Sequence, residues 1–271
     1  MGSESGTLET NGARIYYEAD GSGEPVLMVH AGVANLRMWD AQVEALKDAY
    51  RVIRHDTRGF GRTETDAVEF SNRADIAALL DHLGERSAHL VGLSRGAIIA
   101  LDFALEFQDR ARSLVFSGGG VGGYDPGAQP PSGWEEVEAR EEAGDWEYVA
   151  DWETAYWVDG PGQPADRVDP AIRAKVHGWI LDTYRAEKEE GTPIPLDPPA
   201  NERLDDLRVP VLAIAGDLDD PGTQAACRHL ASKVPGARLE VFECAAHMVN
   251  LEQPERFNRL LRDFLDANRS G

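Results

Sequence analysis

The segment Gly92-Leu93-Ser94-Arg95-Gly96 has the residue types and spacing to carry a nucleophile. It follows a short apolar run, residues 88–93 (AHLVGL), and opens a helical pattern over residues 95–107 rich in Ala, Ile and Leu. A serine between such a strand and such a helix must occupy a sharp turn, and the flanking glycines relieve the crowding because neither has a Cβ. The Ser94 hydroxyl would then stand at the end of a sheet, with the Arg95 backbone N–H aimed into the same space from a helix N-terminus. The chemistry this suits is attack on a carbonyl carbon.

A serine hydroxyl is a weak nucleophile at neutral pH and needs a neighbouring base. Position narrows the choice among seven histidines. His30 and His55 end strands before the turn, His82 and His89 precede Ser94 closely, His177 lies in the stretch between residues 118 and 208, and His229 sits inside a predicted helix. His247 alone follows the last strand, in a loop that can swing an imidazole over Ser94. The base in turn needs an acid to fix its tautomer. The run 209–215 (VPVLAIA) ends in Gly216-Asp217-Leu218-Asp219-Asp220-Pro221. Asp219 is the choice, being far enough past the strand to turn inward before Pro221 starts a helix. Asp217 remains the alternative, and Asp220 suits the N-cap of that helix.

These residues need a scaffold. Short apolar runs alternate with longer amphipathic stretches, which predicts a mostly parallel sheet covered by helices. Strands are expected at residues 14–18, 25–30, 50–55, 88–93, 113–117, 209–215 and 238–243, the first of them antiparallel. Helices are expected at 38–49, 72–83, 95–107, near 223–234, and at 254–267. Gly84 stops the second and Pro254 opens the last. Between residues 118 and 208 the alternation fails. Gly and Pro clusters come first, then helical segments carrying Trp134, Trp146, Trp152, Trp157 and Trp179, then a Pro-rich exit. This predicts a core of residues 1–118 and 209–271 with a helical lid, 119–208, inserted between two strands. Most of those tryptophans should hold helices together, and one or two should line an apolar pocket under the lid.

The chain resembles the α/β-hydrolase-fold serine hydrolases, esterases and lactonases among them, from about residue 8 to residue 265. The resemblance rests on Gly-Leu-Ser94-Arg-Gly, Gly216-x-x-Asp219 and Ala246-His247-x-x-x-x-Glu252-x-Pro254, in that order. It implies an α/β-hydrolase fold with lid, a Ser94–Asp219–His247 triad, and Asp219 rather than Asp217 as the acid. The loop Asp56-Thr-Arg58-Gly59-Phe-Gly61-Arg-Thr63 also matches a segment that is structural in the family. The family usually reads His-Gly after the second core strand, whereas this chain reads His30-Ala31-Gly32-Val33. By position Gly32 matches the oxyanion donor, paired with the Arg95 N–H, and Val33 is its rival. His30 is expected to be structural. The Arg95 side chain is expected to pair with an acidic residue or to contact a polar substrate group.

The function implied is hydrolysis of a small-molecule ester or lactone through an acyl-enzyme. The same triad would support carbon–carbon bond hydrolysis, perhydrolysis or acyl transfer, and the fold can also serve as a non-catalytic ligand receptor. An Asp in place of Ser94 would be wanted for a dehalogenase or epoxide hydrolase. No metal-ligand cluster or dinucleotide fingerprint is present in the sequence, so no cofactor is expected. Asp and Glu total 48 against 27 Lys and Arg, a formal charge of -21. A field of that sign repels nucleic acid and anionic membrane surfaces, which leaves a small molecule as the expected partner. No apolar run approaches the roughly 20 residues of a membrane helix, and the N-terminus has no signal-peptide pattern. Cytoplasmic location is the expectation, with Cys227 and Cys244 as buried free thiols in a reducing compartment.

Overall fold

Apolar runs of five or six residues, too short for helices and bounded by turn residues, become the central strands. In the computed structural model, which describes residues 3–186, 188–189 and 191–269, these strands form one twisted layer. They are β1 (Glu4–Thr10), β2 (Ala13–Gly21), β3 (Glu24–Val29), β4 (Tyr50–His55), β5 (Ala88–Leu93), β6 (Ala111–Ser117), β7 (Val211–Gly216) and β8 (Arg238–Phe242). Their order is β1-β2-β4-β3-β5-β6-β7-β8. The β1–β2 and β2–β4 pairs are antiparallel, and every later pair is parallel. Every residue of β5 and β7 is buried, as a strand covered on both faces requires.

Two apolar clusters lie on the two faces of the sheet. On one, Leu27, Val29 and Ile53 meet α2 (Asn72–His82), α3 (Arg95–Glu106) and α7 (Pro221–Lys233). On the other, Val26, Met28 and Val52 meet α1 (Asp40–Leu46), α8 (Val249–Glu252) and α9 (Pro254–Ala267). Phe257, Leu261, Phe264 and Leu265 of α9 recur at helical spacing and are all buried. Burying each such side chain contributes roughly 2 kcal/mol. Local signals set the helix ends. Asp220 accepts the Thr223 N–H ahead of α7, as expected of an N-cap, and Gly84 adopts φ +72 just past α2.

Residues between β6 and β7 hold α4 (Trp134–Glu142), α5 (Trp146–Glu153), a π-helical turn (Thr154–Asp159) and α6 (Pro170–Arg185). Ala150, Val158, Val176 and Ile180 of this segment join the second cluster, so its helices share a core with the sheet. Its exit, Thr192–Pro193, pairs with Glu69–Phe70. Residues 1, 2, 270 and 271 of the expected core and residues 187 and 190 of the expected insert lie outside the described residues.

Three expectations need correction. The acidic N-terminal stretch contains strand β1, whose edge position leaves its residues exposed or half-buried and hides the apolar signal. The helix expected over residues 38–49 is a 3₁₀ turn, Leu36–Trp39, followed by the short α1. Of the two thiols, Cys227 is buried but Cys244 is exposed, because it sits in the loop after β8 with φ +57.

Candidate active site

Ser94 has φ 58 and ψ -125, a conformation that costs a non-glycine residue energy and persists only when its surroundings hold it. They do so by close packing. A Cβ on Gly96 would lie 2.1 Å from the Val29 carbonyl oxygen, and one on Gly92 would lie 2.3 Å from the Gly96 oxygen. The Ser94 N–H donates to the Ser117 carbonyl at 2.8 Å, which ties the turn to the end of β6. The next residue, Gly118, has φ +57. A Cβ there would lie 3.3 Å from His247 Cε1 and Nδ1 and 3.5 Å from Asp219 Oδ2. Ser117 and Gly118 thus set the turn that bears Ser94 and the His247–Asp219 pair beside the end of the same strand, β6.

The His247 ring lies 3.0 Å from Asp219 Oδ1 and 2.9 Å from Oδ2 through Nδ1, and both side chains are almost wholly buried. An ionised carboxylate can only accept, so Nδ1 carries the proton and Nε2 is left to take another. Asp219 Oδ1 also accepts the Asp220 N–H at 2.7 Å, which orients the carboxylate. Asp217 is turned elsewhere: its carboxylate lies 3.4 Å from the Ala245 N–H. Asp220 caps α7 and also accepts the Tyr156 hydroxyl at 2.5 Å.

Five of the other histidines have structural partners, and the sixth, His55, has a buried Nδ1 with no hydrogen-bond partner among the described residues. His82 meets Tyr17, His89 meets Ser113, His177 meets Asp151, and His229 meets Asn201. His30 Nδ1–H donates to the Ala31 carbonyl at 2.7 Å, and Nε2 accepts the Thr57 N–H at 3.0 Å. Burial, with the Arg95 and His55 charges as lesser causes, holds the His30 imidazole down at about 3. Burial and Arg95 also hold His55 at about 4. Both rings are neutral at pH 7.

Gly32 lies beside the helix start, where its Cβ would be 3.8 Å from Arg95 Cδ. The loop therefore packs Gly32 against the Arg95 side chain. The Arg95 guanidinium donates to Thr57 Oγ1 at 2.6 Å and lies 4.8 Å over the Phe60 ring. A hydroxyl and an aromatic face are thus among its partners, a combination that charge counting in the sequence does not suggest. The loop from Asp56 to Thr63 is a structural brace: Asp56 accepts the Leu36 and Arg62 N–H groups, and Arg58 forms a buried pair with Asp75.

Two residues of the insert reach the site without a local sequence signal. Trp157, in the π-helical turn, places its ring 4.6 Å from that of His247. Arg167 donates to the Val158, Asp159 and Cys244 carbonyls and pairs with Glu252 at 2.6 Å. Glu252 also accepts the Ala246 N–H at 2.9 Å, next to His247. This clamp ties the turn bearing Trp157 to the loop bearing His247. Cavities flank the centre on the Gly32 and Trp157 sides, and a further one of about 400 Å³ adjoins Arg95 and Ile98. The first, of about 380 Å³, is lined by Gly32, Phe60, Trp146, Glu153 and Tyr184, and the second, of about 390 Å³, by Val121, Tyr124, Trp134 and Trp157. Among the described residues, no group of three or more His, Cys, Asp or Glu side chains could hold a metal ion, and no helix is long and apolar enough to cross a membrane.

Comparison with known proteins agrees with this fold. Residues 26–260 match the model of the alpha/beta hydrolase family. A 2-hydroxy-6-oxononadienedioate/2-hydroxy-6-oxononatrienedioate hydrolase of Burkholderia vietnamiensis is 28% identical over 93% of this chain and 91% of its own length. A 3-oxoadipate enol-lactonase of Acinetobacter baylyi is 28% identical over 85% of this chain and 84% of its own. The crystal structure of the enol-lactonase from Burkholderia xenovorans superposes with a TM-score of 0.78 at 25% identity, covering 96% of this chain and 99% of that one. The chain is a hydrolase that belongs to the alpha/beta hydrolase family.

Proposed function

We propose that this enzyme cleaves a small-molecule ester or lactone by acyl transfer to Ser94. The observation that carries the reading is the buried Asp219–His247 hydrogen bond lying against Gly118, whose neighbour Ser117 accepts the Ser94 N–H. His247 Nε2 takes the hydroxyl proton as Ser94 Oγ attacks the carbonyl, and Asp219 holds the tautomer and offsets the charge on the imidazolium. The developing oxyanion is held by the backbone N–H groups of Gly32 and Arg95, each worth about 3–4 kcal/mol in such sites. His247 then protonates the leaving oxygen, and water repeats the sequence on the acyl-enzyme. Residues 119–208 act as the cap over this centre, with Trp157 closing one wall beside His247. We place the chemistry in the cytoplasm, where reducing conditions keep Cys227 and Cys244 as the free thiols they are in the fold.

The test is turnover of a panel of p-nitrophenyl esters and lactones. Ser94→Ala should lower kcat by about 10⁶, because members of such a triad act as one unit. Turnover that survives this substitution would overturn the reading. Carbon–carbon bond cleavage is the second reading, favoured by the similarity to the oxononadienedioate hydrolase. It predicts cleavage of a vinylogous 1,5-diketone where the esters and lactones are left intact.

A further inference from the structure

The Gly32-side and Trp157-side cavities differ in chemistry, and their positions sort the two halves of a substrate. His247 must protonate the leaving oxygen, so the leaving group lies on its side, toward the apolar cavity walled by Trp157. The acyl group then lies on the other side, next to Gly32, in the cavity that also contains Trp146, Glu153, Tyr184 and Glu141. Glu153 projects from α5 into this space and accepts the Tyr184 hydroxyl at 3.0 Å. Among the described residues no lysine or arginine forms an ion pair with Glu153 or Glu141. Lys188 lines the same cavity, but its ammonium is drawn to the Gly61 and Thr63 carbonyls. Trp146 and Tyr184 stack, with ring centroids 5.2 Å apart and planes 11° apart.

Two carboxylates without a paired cation, beside stacked aromatic rings in a cleft, are a receptor for an organic cation. The carboxylates supply the charge, and the rings attract a cation through their faces. The same groups repel an acyl chain ending in a carboxylate. We propose that the Gly32-side cavity binds the acyl chain of a substrate that ends in an alkylammonium group, with Glu153 as the residue that selects it. The inference rests on the acyl-transfer reading above. Burial, opposed by the Tyr184 hydrogen bond and reinforced by Glu141, lifts the Glu153 carboxyl to about 7. That is the condition of an acid held short of a counter-charge.

The experiment uses three p-nitrophenyl esters of matched length at about pH 8, above the raised Glu153 value. Their acyl groups are 5-(trimethylammonio)pentanoyl, its neutral isostere 6,6-dimethylheptanoyl, and 5-sulfopentanoyl. The cationic ester should exceed the neutral one in kcat/KM by about tenfold or more, with the sulfonate the poorest. Glu153→Gln should remove most of that ratio. Equal or better turnover of the neutral or sulfonated ester by the native enzyme would overturn the proposal, whether or not Glu153→Gln folds. An unchanged ratio in a folded Glu153→Gln would overturn the role of that residue. If none of the three esters is cleaved, the acyl-transfer reading fails separately. Calorimetry with benzyltrimethylammonium on the intact chain then decides the subsite, and absence of binding overturns it.

Discussion

The turn around Ser94 and the helices of the insert solve opposite problems. At the turn, backbone approaches backbone so closely that Gly92 and Gly96 have no room for a methyl group, and the titratable neighbours His30 and His55 are kept neutral. In the insert, a glycine in the middle of α6 meets nothing within 4 Å of where its Cβ would be, and the half-buried Glu153 has no paired cation among the described residues. The contrast teaches that rigidity and open chemical potential are divided between regions. On the proposed reading, the sheet edge fixes where the reacting atoms stand, and the insert decides what is brought to them.

The comparison is broken most severely at the acid. Asp219→Asn should lower kcat on an ester substrate by about 10⁴, since the imidazole loses the partner that sets its tautomer. Asp217→Asn should stay within about threefold, because its carboxylate accepts the Ala245 N–H rather than bonding His247. Equal losses in the two variants would refute the division of labour between them.

Acid stability sharpens the comparison next. The depressed values of His30 and His55 mean that the unfolded chain binds protons more readily than the folded one between about pH 6.5 and 3 or 4. Stability therefore falls as pH falls through that window, by on the order of 4 kcal/mol for His30. Glu153 has the opposite sign: its raised carboxyl favours the fold at low pH and loses that contribution as pH rises from about 4.5 to about 7. Asp102, raised to about 6 by burial, acts in the same sense as Glu153, so the histidine contribution is read by difference: in urea unfolding from pH 7 to pH 4, His30→Asn should lose less stability with falling pH than the native chain if it folds.

Glycine substitutions give the smallest and cleanest contrast. Gly96→Ala should cost about 3 kcal/mol through overlap with the Val29 carbonyl. Gly178→Ala, in the middle of α6 with open space around it, should add about 1 kcal/mol. Thermal unfolding reads both, and a shift of the same sign in the two would contradict the account of where the molecule is tight.

Much of this is legible in the sequence because it is encoded locally. The strand at residues 88–93 and the helix at residues 254–267 fall where the apolar run and the Pro start put them. The three segments that meet at the site each carry their own signature, a Gly-flanked serine, a post-strand aspartate and a post-strand histidine. Strand β1 escapes because an edge strand paired on one side keeps polar residues along most of its length. Trp157 escapes because five tryptophans of the insert look alike until the π-helical turn and Arg167 aim one of them at His247. Glu153 escapes for a related reason: in a chain with 48 acidic residues, nothing local marks the few that packing shields from water.

One measurement reaches the centre most directly. The intact protein is treated with a fluorophosphonate, and the adduct is located by peptide mass spectrometry, with the His247→Ala variant in parallel. The account predicts a single adduct on Ser94 in the native protein, formed far more slowly without the imidazole. No adduct, an adduct on another residue, or labelling at the same rate in both proteins would contradict it.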